Sequence, residues 1–162
     1  MSKILLILHV LAAVIAVGPV TVAGSMFPSA VRRAAAAPDR PEPVAAVRLL
    51  HQICRVYALV GLAVPVFGFA TASSMHVLGS PWLIVSIVLT GVAALVLALL
   101  VLPAQEIAIA GLSGSGADTE TAATRLEPAQ IRRLAMLTGA FNLLWATVTI
   151  LMIVRPGSTT GA

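Results

Sequence analysis

Hydrophobic positions gather into four long blocks, residues 4–27, 49–75, 82–102 and 131–154, and nearly every charge lies in the two segments joining the first block to the second and the third to the fourth. A run of about 20 apolar residues is what an α-helix needs to cross a hydrocarbon core about 30 Å thick. The pattern therefore predicts an all-α protein, a four-transmembrane-helix bundle with helices over about 4–27, 49–75, 82–104 and 129–154. It predicts a single integral membrane domain, 1–162, with polar connections over about 28–47 and 105–128.

Prolines and glycines punctuate these blocks. Gly18-Pro19 predicts a kink in the first helix, because proline removes a backbone donor and crowds the preceding turn. Pro38, Pro41 and Pro43 argue against a long helix in the first connection, which reads as a short exposed segment with at most a helical turn over 31–37. Pro65 falls in the middle of the second helix. The link over 76–81 is so short that the second and third helices must be antiparallel neighbours. Pro81 suits a first helical turn and Trp82 a membrane interface. Pro103 predicts a bend at the exit of the third helix, after which Gln105 and Glu106 meet headgroups or water. Gly-Leu-Ser-Gly-Ser-Gly over 111–116 reads as a flexible linker without the lysine of a phosphate-binding loop. Pro128 opens the fourth helix, and 155–162 reads as a polar, mobile tail. Lys3 followed by an apolar run resembles a signal peptide, but the run is longer than a signal core and holds His9 and Gly18-Pro19, so a retained helix is expected.

Composition supports the membrane reading. The chain is 59% hydrophobic and only 10% charged, with mean hydropathy +1.04, against about 25% charged residues in a soluble domain. The pI near 10.7 reflects topology signals and contacts with anionic lipids, not nucleic acid. The single cysteine, Cys54, excludes an intrachain disulfide and reads as a small packing hydrophobe.

The basic residues also give a direction. Of ten, seven (Arg32, Arg33, Arg40, Arg48, Arg125, Arg132, Arg133) fall on one side, Lys3 and Arg155 fall on the other, and Arg55 lies inside a helix. The positive-inside rule puts both connections in the cytoplasm and both termini outside, in a multi-pass protein of the plasma membrane, the cell inner membrane.

Chemistry-bearing residues are few. Arg48, His51, Gln52 and Arg55 are spaced i, i+3, i+4, i+7 and form a polar stripe on one face of the second helix. An arginine at the centre of a span costs about 2.5–3.5 kcal/mol on insertion scales. Either Arg55 snorkels to the headgroups, or it pairs with an acid, for which Glu106 is the candidate. His9 lies about two turns into the first helix and is read as bonding a neighbouring helix. His9 and His51 are expected near opposite sides of the membrane, so they cannot share one haem; a His9–His76 haem or metal site is the only such pairing left. In the fourth helix Thr138, Asn142, Trp145 and Thr149 form a stripe flanked by Gly139 and Ala146. It reads as a packing face, with Asn142 the expected interhelical bond. No intramembrane carboxylate pair, serine–histidine–acid set or HExxH arrangement occurs, so no catalytic residue and no metal site are assigned.

Leu8-His9-Val10-Leu11-Ala12-Ala13-Val14, Arg48-Leu49-Leu50-His51 with Arg55-Val56-Tyr57, and Trp82-Leu83 with Ser86 resemble, in matching order, a family of small uncharacterised integral membrane proteins, domain-of-unknown-function family 2269. The resemblance implies a four-helix bundle and carries no established activity. A more distant similarity runs to the copper-resistance D and membrane protoporphyrinogen oxidase J types, which also begin with a histidine in the first helix, implicated in haem binding in the latter. Only His9 carries over; the third helix here has no lysine or histidine.

The expected function is therefore a non-catalytic accessory or scaffolding subunit of a membrane assembly, such as a respiratory complex, partnered by the lipid bilayer, by anionic lipids at the cytoplasmic face and by other subunits or further copies of itself, with no cofactor. One alternative is a membrane redox protein holding haem b or a metal at His9. A second is a small-solute transporter built around Arg55.

Overall fold

The computed structural model describes residues 2–37, 39–113 and 128–157. Arg125, residues 114–116 of the expected linker and 158–162 of the expected tail lie outside them. The described residues form helices and no strand: α1 (Ser2–Ala36), α2 (Pro41–Val60), α3 (Ala63–Ser74), α4 (Pro81–Leu95), a π-helical segment (Val96–Val101), α5 (Leu102–Ser113) and α6 (Pro128–Val154). They make four rods long and apolar enough to cross a membrane, Lys3–Ala36, Pro41–Ser74, Pro81–Leu112 and Pro128–Val154. The chain is a multi-pass, all-α membrane protein. Large apolar side chains stand exposed on every rod, among them Val14, Leu59, Leu99, Leu143 and Ile153, the last 75% exposed. So much exposed apolar surface marks contact with a membrane or with other proteins, and on helices of membrane length it fits a lipid bilayer.

The helices outrun their apolar blocks. α1 continues through Pro28 to Ala36 and, at 1.5 Å per residue, is about 52 Å long. Of the expected connection over 28–47, residues 28–36 and 41–47 are helical. Alanines 30 and 34–36 are strong helix formers. Val31 and Ala34 are buried against the bundle while Arg32 and Arg33 face out, which gives this extension a helical face the prolines concealed. Pro41 starts α2 and Pro43 falls in its first turn, where a missing N–H costs nothing. α1 is also unbroken at Pro19. The third rod likewise continues past 104 to Ser113, so 111–113 is helix, not linker. The fourth helix matches its expected bounds.

Two prolines leave clear marks. Pro65 cannot donate to the carbonyl of Gly61; Val64 N–H takes that carbonyl instead at 3.1 Å, and the second rod breaks into α2 and α3 at Gly61 and Leu62. Pro103 cannot close the α-helical bond to Leu99. Just before it the helix widens to the π form, with Leu102 N–H donating to the carbonyl of Leu97. The bend expected at Pro103 is thus a widened turn upstream of it.

The first rod packs against both halves of the second and against α6, and the third closes the ring through α4 with α6 and α5 with α2. The principal core lies toward the arginine-rich end, where Phe27, Val31, Val47, Val101 and Leu134 are buried together. A smaller cluster of Ala72, Trp82 and Leu83, with Met152 against it, closes the opposite end. There Arg155 lies over the Trp82 ring, 5.7 Å from its centroid, tying the end of α6 to the start of α4.

Candidate functional site

The buried stripe of α2 carries Val47 and Cys54, with His51 and Ala58 half-buried. Successive helical residues are about 100° apart around the axis. The expected stripe is therefore split. His51 turns inward, whereas Gln52 and Arg55 are exposed on the flank, and Arg48 stands at the edge.

α5 meets this face with Gln105, which is fully buried rather than at the headgroups. His51 Nδ1–H donates to Gln105 Oε1 at 3.0 Å, and Gln105 Nε2 donates to Cys54 Sγ at 3.6 Å. Both ends of the amide are used. His51 Nε2 lies 3.7 Å from Glu106 Oε1. Arg48, His51, Glu106, Ile109 and Ala110 line an open recess above this network. Glu106 therefore faces His51, not Arg55. Arg55 lies one turn farther along and about 100° around from Cys54, and it makes no ion pair among the described residues. The arrangement binds α2 to α5.

Two other polar side chains, His9 and Asn142, also join helices. His9 Nδ1–H donates to the carbonyl of Val64 at 2.9 Å, fastening α1 to α3 beside the Pro65 break. This works because residue 68 is glycine: a Cβ there would lie 3.0 Å from His9 Cε1 and 3.2 Å from Nδ1. His76 lies eight residues beyond Gly68, about 12 Å of helical rise, on an exposed turn with φ +56°. The structure does not bring His9 and His76 together. Among the described residues no three His, Cys, Asp or Glu side chains converge.

Asn142 Nδ2 donates to Ser25 Oγ at 3.0 Å, linking α6 to α1, the interhelical bond expected of it. One turn away, Thr138 Cγ2 would sit 3.0 Å from a Cβ at Gly24, so Gly24 permits the close approach. Thr149 is exposed and donates to the carbonyl of its own helix at Trp145. Gly139 is exposed, with no described atom within 4 Å of where a Cβ would be. Three buried atoms on the inner face of α6, Thr138 Oγ1, Asn142 Oδ1 and Trp145 Nε1, have no hydrogen-bond partner among the described residues.

Sequence reasoning missed Gln105, Gly24, Gly68 and the Val64 carbonyl. Only Gln105 left a signal, as a polar residue three positions before buried Ala108 and four after buried Val101.

Scans against protein-family models, curated proteins and solved structures returned no match. What the fold defines is a class: a polytopic membrane protein in which His9, His51, Gln105 and Asn142 connect its helices.

Proposed function

We propose that the chain is a non-catalytic accessory or scaffolding subunit of a membrane assembly. One observation carries the reading: His9, His51, Gln105 and Asn142 are each engaged in a bond to another helix. Such bonds fix the geometry of a bundle that then presents apolar faces to a neighbour. The seven-to-two distribution of basic residues supports cytoplasmic connections at the arginine-rich end and outside termini in the plasma membrane. A photo-crosslinker at lipid-facing Gly139 or Leu143 in the native membrane tests the role. A discrete protein adduct is expected; adducts to lipid alone from every exposed rod would overturn it.

The redox alternative has one observation in its favour. With Nδ1–H given to Val64, the other ring nitrogen of His9 keeps its lone pair, as in metal-ligating histidines. The residues fit haem only in part, because His76 stands about 12 Å along α3 from the His9 contact and offers no second ligand at that depth. A Soret band lost in His9→Ala would establish it.

A further inference from the structure

A groove of about 230 Å³ opens between the third rod and α6, with Val31 of α1 also in its wall. It is separate from the His51 network. Its long wall is Leu99 and Leu100 of the π-helical segment, then Pro103 and Ala104; Leu137 closes the far side, and Arg133 and Gln130 stand at the mouth. The groove follows from the sequence. Pro103 cannot close the α-helical bond to Leu99, the helix widens just before it, and Leu99 and Leu100 are left exposed beside α6. A cavity of this size is below the roughly 300–1,000 Å³ of a site for a drug-sized ligand, and its wall is apolar. It suits part of a single extended hydrocarbon chain.

Charge at the mouth selects what that chain is attached to. Arg132 and Arg133 are exposed in the first turns of α6, and Arg32 and Arg33 follow directly on Val31 at the end of α1. Arg133 makes no ion pair among the described residues. Glu106 faces His51 on the α2 side, and neither Asp39, Glu42 nor Glu106 lines the groove. The groove thus opens at the end where four arginines gather, with no described carboxylate directed into it. Basic pockets between transmembrane helices at that level hold anionic headgroups, and a guanidinium grips phosphate through two parallel hydrogen bonds.

We infer that this groove is a binding site for one anionic phospholipid, an acyl chain lying along Leu99, Leu100 and Leu137 and the headgroup phosphate held by Arg133. The bound lipid fills the gap left by the π turn and fastens α6 to the third rod.

The test uses the full chain purified in mild detergent, delipidated, and titrated with phosphatidylglycerol or phosphatidylcholine of identical acyl chains. Native mass spectrometry counts bound lipid, and thermal unfolding reports its effect. One phosphatidylglycerol per chain is expected, binding about tenfold more tightly than phosphatidylcholine, roughly one charge-assisted hydrogen-bond pair. Arg133→Gln, an exposed change that preserves the fold, should erase that preference; Ala104→Phe, which fills the groove, should lower affinity for both lipids. Arg55→Gln, distant from the groove, should leave the preference intact. Equal binding of the two lipids, a preference lost equally in Arg55→Gln, or full competition by inorganic phosphate would each overturn the inference. So would a dimer that forms without lipid and is broken by Ala104→Phe, which would make a second copy the occupant.

Discussion

Gly68→Ala should destabilise this protein only while His9 is present. The added methyl would sit 3.0 Å from His9 Cε1 and 3.2 Å from Nδ1, where carbon atoms prefer about 3.5–4.0 Å. The ring must retreat by roughly half an ångström, and its 2.9 Å bond to the Val64 carbonyl cannot survive unchanged. Losing an interhelical bond in a membrane protein costs about 0.6 and at most about 1.7 kcal/mol. Overpacking adds about 1 kcal/mol, the low end of its range, and the better helix propensity of alanine returns at most about 1 kcal/mol. The net expectation is a loss of about 1 kcal/mol. With His9→Ala in the background the clash and the bond are both gone, and Gly68→Ala should be neutral or stabilising by up to about 1 kcal/mol. Unfolding of the four proteins of this cycle in one detergent, followed by far-UV circular dichroism, gives the coupling, expected at about 1–2 kcal/mol. An equal effect of Gly68→Ala in both backgrounds would refute the reasoning.

Other expectations follow from the same contacts. Thr138→Val keeps the methyl against Gly24 but removes a buried hydroxyl without a partner; thermal unfolding should show no loss and a gain of up to about 1 kcal/mol, and a clear loss would mean that a bound water or ligand uses the hydroxyl. Gln105→Leu strips the inward partner from half-buried His51 and from Cys54 and should cost about 1–3 kcal/mol, measured against Gln105→Asn, which should cost no less because the shorter amide cannot span both. Arg55→Leu should leave stability and partner binding unchanged, since Arg55 faces outward; loss of solute flux in that variant would favour the transporter alternative. Reporter fusions at the C-terminus should be active only outside the cytoplasm, and cytoplasmic activity would reverse the proposed orientation.

The number and order of the spans were legible because an apolar block of membrane length has few other uses. Their ends were not. The extension of α1 through Arg32 and Arg33 is half polar and follows a proline, so it read as a loop; its helical face appears only once Val31 and Ala34 have a bundle to pack against. Conversely, Pro41 and Pro43 read as breakers although the start of a helix accommodates both. The polar stripe on α2 was found by its spacing, but spacing fixes only relative angles. Which flank faces inward was decided by buried Val47 and Cys54, so His51 entered the bundle and Arg55 stayed out. Glu106 was recognised as a partner and assigned to the wrong residue for the same reason. Gly24 and Gly68 carry no chemistry, and their roles exist only opposite Thr138 and His9.

The central claim is that the polar interior connects helices and the apolar exterior meets other subunits. Native mass spectrometry of the chain extracted gently from its own membrane, with a visible spectrum of the same sample, tests it most directly. The account predicts a mass above that of the single 16.6 kDa chain, from other subunits or further copies, and no Soret band. A lone chain carrying a Soret band that disappears in His9→Ala would contradict it.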